Sequence, residues 1–365
     1  MFKKKIPLLL IISVCTFAVD NINNTVLNIH SFTTVKNRIG IKGSFYKVND
    51  TLDIFNVREH EIGTLSRFGA LGDMSGYEGE IRYSLTDRIS INYKHEYLDI
   101  DYGGGGFIKN KRDDIFLRLN LYYHPYTFIN AWSVDLGYTK NSSKPLDITK
   151  DEMLNAMIKK IAPNTSLSIK DGVVTYGNYS ASIYENGKKV YPFVRVGDLK
   201  DSSYYVRLIM GKRFENSIFD LYAGYKKSDI DAKISIEPSN NTLIKDALNK
   251  LNIVIPKLSR DEKSYFTGFT YTLEYKDFLF ETGYRYVYID REDDIDYENS
   301  NHIIDMSISR IITKNLLFYI GGKIMTNQFN AQIPYLYNRY TQTQYDKKYG
   351  YAKFGFVYNF DLNSF

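Results

Sequence analysis

Most of the chain beyond residue 36 alternates in period two. From 113 to 123, Ile115, Leu117, Leu119, Leu121 and Tyr123 alternate with Phe116, Arg118, Asn120 and Tyr122. From 203 to 213, Tyr204, Val206, Leu208 and Met210 oppose Tyr205, Arg207, Ile209 and Gly211, and further on Phe278, Phe280, Tyr284, Tyr286 and Tyr288 oppose Glu281, Gly283 and Arg285. Successive side chains of a strand point to opposite faces, so each segment predicts a strand with one apolar, ring-rich face and one polar face. The pattern predicts strands over 37–48, 75–85, 88–100, 113–123, 131–140, 203–213, 217–228, 264–275, 278–290, 301–312, 316–326 and 347–360.

Short and long connections alternate between these strands. The short ones are Thr86-Asp87, His124 to Asn130, Glu215-Asn216, Lys276-Asp277 and Thr313 to Asn315. That asymmetry predicts an up-and-down antiparallel sheet with tight turns on one side and long loops on the other. The connection 142–202 is too long for a structureless loop. Within it Val173 to Tyr184, Glu185-Asn186-Gly187 and Val190 to Gly197 predict a hairpin about an Asn-Gly turn. With that hairpin in the sheet the strand count is fourteen, and without it twelve. The hairpin tips the expectation to fourteen, although Pro192 sits badly in a central strand. Two long loops carry helical spacing. Thr149 with Glu152 reads as a capping box before Met153, Leu154, Met157, Ile158 and Ile161, and Leu243, Ile244, Ala247, Leu248 and Leu251 repeat the stripe.

The last strand, Lys353 to Phe360, points Phe354, Phe356, Tyr358 and Phe360 one way and Lys353, Gly355, Val357 and Asn359 the other. The order of Lys353, Gly355, Tyr358 and Phe360 resembles the C-terminal insertion signal of Gram-negative bacterial outer-membrane β-barrel proteins. The resemblance implies an all-β, transmembrane antiparallel up-and-down barrel of twelve to fourteen strands, with short helices in two long extracellular loops. It also implies outer-membrane lipid, lipopolysaccharide and the barrel-assembly machinery as partners. The other end agrees: Lys3, Lys4 and Lys5, an apolar run from Ile6 to Val14 and Thr16-Phe17-Ala18 read as a cleaved signal peptide over 1–18. Residues 19–36 are then an N-terminal periplasmic lead and 37–365 the barrel. No stretch approaches the ~20 apolar residues of a membrane helix. Cys15, the sole cysteine, leaves with the leader, which excludes disulfides and cysteine metal ligands from the mature chain.

Thirty-three tyrosines and twenty-two phenylalanines stand beside a single tryptophan, Trp132, yet mean hydropathy is negative. A membrane barrel reconciles the two, with rings at the interfaces and charges in the lumen and loops. The net charge of +5 includes the leader lysines and implies no nucleic-acid partner. The inward phase collects Lys42, Arg82, Lys94, Arg118, Arg207, Lys226, Arg285, Lys323 and Lys353 against Glu78, Glu80, Glu96, Asp135, Asp220, Glu274, Glu281 and Asp305. These charges suit either a hydrated pore for a polar solute or a lumen closed by its own ion pairs.

Other candidate chemistry is thin. The acidic run Asp290, Glu292, Asp293, Asp294, Asp296 and Glu298 matches no calcium-loop spacing, and Gly103 to Gly106 opens no helix and lacks a following Lys-Ser or Lys-Thr. No metal or cofactor is expected. Of the histidines His30, His60, His95, His124 and His302, only His302, beside Ser300, Asn301 and Asp305, could join a nucleophile–base pair, and the expectation is no enzyme. The expected function is a porin-like passive channel for small polar solutes or ions. The alternative is a surface-exposed binding or structural protein with a plugged lumen; a hydrophobic-substrate channel or an outer-leaflet hydrolase ranks behind both.

Overall fold

The computed structural model describes residues 25–27, 29, 31, 35–48, 73–101, 107–124, 126–250, 255, 257–291, 298–338 and 348–362. The leader over 1–18, His30, His60, Gly103 to Gly106 and most of the acidic run lie outside them. In chain order the elements are β1 (Arg38–Val48), β2 (Met74–Ser84), β3 (Ile89–Asp101), β4 (Phe107–Tyr123), β5 (Ala131–Ser142), β6 (Leu146–Ile148), α1 (Asp151–Ile161), β7 (Ser168–Lys170), β8 (Val173–Tyr176), β9 (Tyr179–Glu185), β10 (Lys188–Val190), β11 (Phe193–Arg213), β12 (Ser217–Glu237), α2 (Thr242–Lys250), β13 (Arg260–Tyr275), β14 (Phe278–Arg291), β15 (Ser300–Thr313), β16 (Leu316–Met325), a 3-10 turn at Pro334–Leu336, and β17 (Tyr349–Asp361).

Strands β1 to β5 and β11 to β17 pair antiparallel in sequence order, and β1 pairs with both β2 and β17, so the sheet closes into a twelve-stranded barrel. Closure removes the unpaired edges an open sheet would leave. At the seam, Gly355 lies against the β1 backbone: a Cβ there would sit 2.1 Å from the carbonyl oxygen of Gly43. The glycine of the terminal signature is thus where the two end strands approach too closely for a side chain.

The expectation of fourteen strands is corrected to twelve. The Asn186-Gly187 turn is present, with both residues at positive φ (50° and 77°), but it joins β9 to β10 in a separate four-stranded sheet, β7 to β10. Those strands are three to seven residues long, too short to cross a bilayer, which takes about 9–11. Phe193 to Gly197 is the outer end of β11, not a strand of its own. With 21 residues each, β11 and β12 run well past the barrel rim. Val194, Ile234 and Ile236 on the projecting hairpin pack with Ile148, Leu154, Ile158, Ile169, Val174, Ile183 and Ile244. Leu154 and Ile158 of α1 and Ile244 of α2, with Leu243 and Leu248 beside it, therefore bury in the same cluster as this hairpin and the small sheet. Thr149 does not cap α1: the N-cap is Lys150 with no side-chain bond, and Asp151 and Glu152 in the first turn instead complement the positive end of the helix dipole.

On the outer face, toward the long loops, Phe45 stacks on Phe354 and Tyr77 on Tyr97 (5.4 Å between centroids in each pair), while Tyr138 leans on Tyr204 at 5.0 Å. Toward the short turns Tyr123, Tyr126, Phe128, Phe214, Tyr275 and Phe278 are exposed. Aliphatic residues such as Ile81, Leu136, Val206, Leu221 and Ile308 face out between the two rings. Tyr265 and Tyr275 stand ten positions apart on β13, about 33 Å along the strand and about 25 Å along the axis at a tilt of roughly 40°. Tyr122, expected inward, also faces out. A bulge between Asn120 and Tyr122 shifts the register of β4 on β5 and reverses its phase.

Candidate functional site

Every inward charge named from the alternation lies on the inner phase of its strand. The structure sorts them into groups. Lys42 pairs with Glu78 (2.7 Å) and Glu80 (3.6 Å), and Lys94 bridges Glu78 and Glu96. Lower in the bore, Asp135 accepts from Arg118 Nε at 2.7 Å and Nη2 at 2.9 Å, and from Arg207 Nε at 2.9 Å. Asp305 holds Lys323 at 3.6 Å and Lys353 at 3.5 Å. Arg82 and Glu274 line the turn-side end of the wall.

Two inward-folded segments bound this wall, and neither was expected from the sequence. At the turn side the described residues between 25 and 31, expected as a periplasmic lead, enter the bore. The backbone N–H of Val26 donates to both Glu281 oxygens (3.1 and 2.9 Å), and Ser31 donates through its N–H (3.0 Å) and its hydroxyl (2.7 Å) to Asp220 Oδ1. Thr270 donates to the Ile29 carbonyl at 2.8 Å and Lys42 to that of Val26 at 3.0 Å. Val26 is fully buried among Leu279, Leu317, Tyr319 and Val357. Glu281 and Asp220 make no ion pair with any described residue; they accept from this segment, and Glu281 also from Ser307 at 3.1 Å.

At the loop side the connection between β16 and β17 folds into the mouth. Phe329, Ile333, Tyr335, Leu336 and Tyr337 are buried against Val48, Met74, Ile100, Ile108, Ile230, Ile289, Ile303 and Met325, which form an apolar cap across the bore. Polar anchors hold its backbone. Asn301 Nδ2 donates to the carbonyls of Asn327 (2.7 Å) and Asn330 (2.9 Å), Asn141 Nδ2 to that of Gln332 (3.2 Å), and Tyr335 donates to Asn110 (2.7 Å). Glu262, pinned between Arg260 (2.6 Å) and Arg291 (2.8 Å), orients both arginines: Arg291 reaches Asn330 at 2.7 Å, and Arg260 the carbonyls of Pro334 and Tyr337. The signal for this cap was available in the sequence, because Phe329 to Tyr337 is too apolar and aromatic for a solvated loop.

Between the two lies a cavity of about 220 Å³. Val26, Leu27 and Ile29 floor it, Ala331 and Gln332 roof it, and its wall carries Lys42, Lys94, Arg112, Arg207, Lys226, Arg285, Lys323 and Lys353 against Glu78, Glu80, Asp114 and Asp305. Arg112 was missed because the strand was started at 113, and Asp114, inside that strand, was left out of the inward set although both continue the phase of Phe116 and Arg118. His302 does not meet a nucleophile. It faces outward, with Nδ1 at 2.7 Å from the Tyr284 hydroxyl, whereas Asp305 faces the bore and Ser300 donates to Glu298. His95, also on the outer face, bonds Asp113 at 2.8 Å. Among the described residues no group of three or more His, Cys, Asp or Glu side chains is arranged to hold a metal.

A closed antiparallel barrel with a ring-bordered apolar exterior and a charged interior is the architecture of the outer-membrane β-barrel proteins. No protein-family model matches this chain, and no curated protein matches it. Among solved structures it is similar to the NanC porin (8% identity, covering 87% of this chain and 98% of that one, TM-score 0.40). It is similar also to LpxR from Salmonella typhimurium (9%, 88% and 99%, 0.39) and to the P. putida toluene transporter TodX (10%, 89% and 89%, 0.36).

Proposed function

We propose that this protein resides in a bacterial outer membrane and passes small polar solutes or ions through a bore that its own chain keeps shut at rest. The short turns then face the periplasm and the long loops the outside, and the aromatic rings sit at the two interfaces. The outer-membrane lipid, lipopolysaccharide at the outer rim, and the barrel-assembly machinery reading Lys353, Gly355, Tyr358 and Phe360 are its partners. The reading includes no catalytic step; among the described histidines, His95 and His302 lie on the outer face of the barrel.

The observation that carries this reading is the charged chamber left between the N-terminal segment and the β16–β17 connection. Charges buried in a lumen with no role would be cheaper to replace by a packed apolar interior, and the loop-side half of this same bore has such an interior. The N-terminal segment is the more readily displaced of the two, because hydrogen bonds with Glu281, Asp220, Thr270 and Lys42 and the burial of Val26 in a small apolar cluster hold it, whereas the cap is built into a large one. That extensive cap favours a second reading, a plugged barrel whose loop-side surface binds or scaffolds.

Planar-bilayer recording separates the two. The full chain is expected to be nearly silent, while deletion of 19–31, or Glu281→Gln combined with Asp220→Asn, each made together with replacement of the cap 327–338 by a short Gly-Ser linker, is expected to produce sustained ion-conducting events. Silence from every variant would end the channel reading in favour of the plugged barrel.

A further inference from the structure

We infer that the chamber is a binding site for a small oxyanion, of inorganic phosphate or dicarboxylate size, and that a conducting form of the barrel prefers anions. The inference deepens the channel reading and rests on it for its second half. The whole inward phase is nearly balanced in sign, but the chamber is not: its lining cations outnumber its carboxylates two to one. The difference arises because Asp220 and Glu281 are committed to the N-terminal segment, while Asp135 below is shared by Arg118 and Arg207; with Arg207 so paired, seven cations still face four carboxylates in the chamber.

The excess is concentrated on one side. Consecutive strands β14, β15, β16 and β17 present Arg285, Asp305, Lys323 and Lys353, so one carboxylate serves two lysines at 3.5–3.6 Å and leaves the arginine over. Arg285 makes no hydrogen bond or ion pair with any described residue, and its Nε is buried. Lys226 donates to the Ala331 carbonyl at 3.2 Å and makes no ion pair with any described residue. Buried cations without a carboxylate in direct contact are costly, and an oxyanion supplies both charge and acceptors to a guanidinium fork. The volume of about 220 Å³ has room for one such anion with part of its hydration.

The test is titration of the full chain, refolded in detergent micelles at low ionic strength, with inorganic phosphate and with succinate, each also present during refolding so that a closed chamber is loaded. Choline serves as the cationic control. Saturable binding of either anion, and none of choline, is expected. Affinity should fall at least tenfold in Arg285→Gln and in Lys226→Gln, two single variants whose folding is checked by heat-modifiable gel migration. Absence of anion binding, or equal affinity in both folded variants, would overturn the inference.

Reversal potentials of the conducting variant that carries Glu281→Gln and Asp220→Asn, in which the two carboxylates released by the N-terminal segment are neutral, give a separate readout. Anion preference, weakened by Arg285→Glu, supports the inference, and a conducting but cation-preferring or unselective variant overturns it while leaving the channel reading intact. A silent variant that still binds phosphate removes the channel and keeps the site.

Discussion

Asp135 illustrates how a single carboxylate sets the cost of the interior. It is fully buried and receives two guanidiniums, Arg118 from β4 and Arg207 from β11, so three neighbouring strands share one charge. Asp135→Asn leaves two buried arginines with one neutral partner, and breaking a buried pair costs about 3–5 kcal/mol; equilibrium urea unfolding in lipid vesicles should record a loss of that order. On the projecting hairpin the opposite regime holds. Arg195 grips Asp147 with bonds of 2.8 and 2.9 Å in an exposed setting, and that hydrogen bonding holds the Asp147 carboxyl below the usual carboxylate range. Because the folded value is depressed, the pair's stabilisation is complete above the unfolded value near ~3.9 and fades as pH falls through the folded one. Amide exchange in the β6–β11 ladder is therefore expected to be insensitive to pH between 5 and 8, after correction for intrinsic rates, and to quicken below about 4. Asp147→Asn should remove that dependence. At this scale the strand phase was legible, and it predicted which charges face inward. Which partner each charge takes was not legible, because that depends on the stagger of neighbouring strands.

The elements divide into those that local pattern specifies and those that only packing does. All twelve barrel strands were readable from period two, since a slip of one residue would turn arginines toward the apolar exterior. The Asn186-Gly187 hairpin was also readable, but its place in the molecule was not. A two-faced hairpin gives one local pattern whether it joins a barrel or packs on a projecting rib. Replacing 164–191 by a short Gly-Ser linker should therefore leave the barrel closed. Heat-modifiable migration and a β-rich circular dichroism spectrum should persist; loss of both would mean that the small sheet is part of the wall after all. The bulge at Asn120–Tyr122 and the cap at 327–338 escaped notice for related reasons. A bulge is a local irregularity in an otherwise regular repeat, and an irregular segment carries no period to detect.

For the whole molecule, the decisive contrast is between the face that meets lipid and the face that meets the bore. Met306 is exposed at 41% in mid-band on β15, and its strand neighbours Asp305 and Ser307 face the inner side. Met306→Arg is expected to destabilise by about 2–4 kcal/mol in bilayers, measured by folding titrations in vesicles. An unchanged stability there would mean that this face is wet. The alternation of the chain by itself determined that a sheet forms, which side of it is apolar and where the turns lie, because each of these depends on neighbours within a few residues. Only the tertiary structure decided that twelve strands close the ring, that the ends of the bore are filled from within, and that a nearly neutral wall leaves a cationic chamber. Those outcomes depend on contacts between residues as distant as Val26 and Glu281 or Asn141 and Gln332, whose meeting no local repeat encodes.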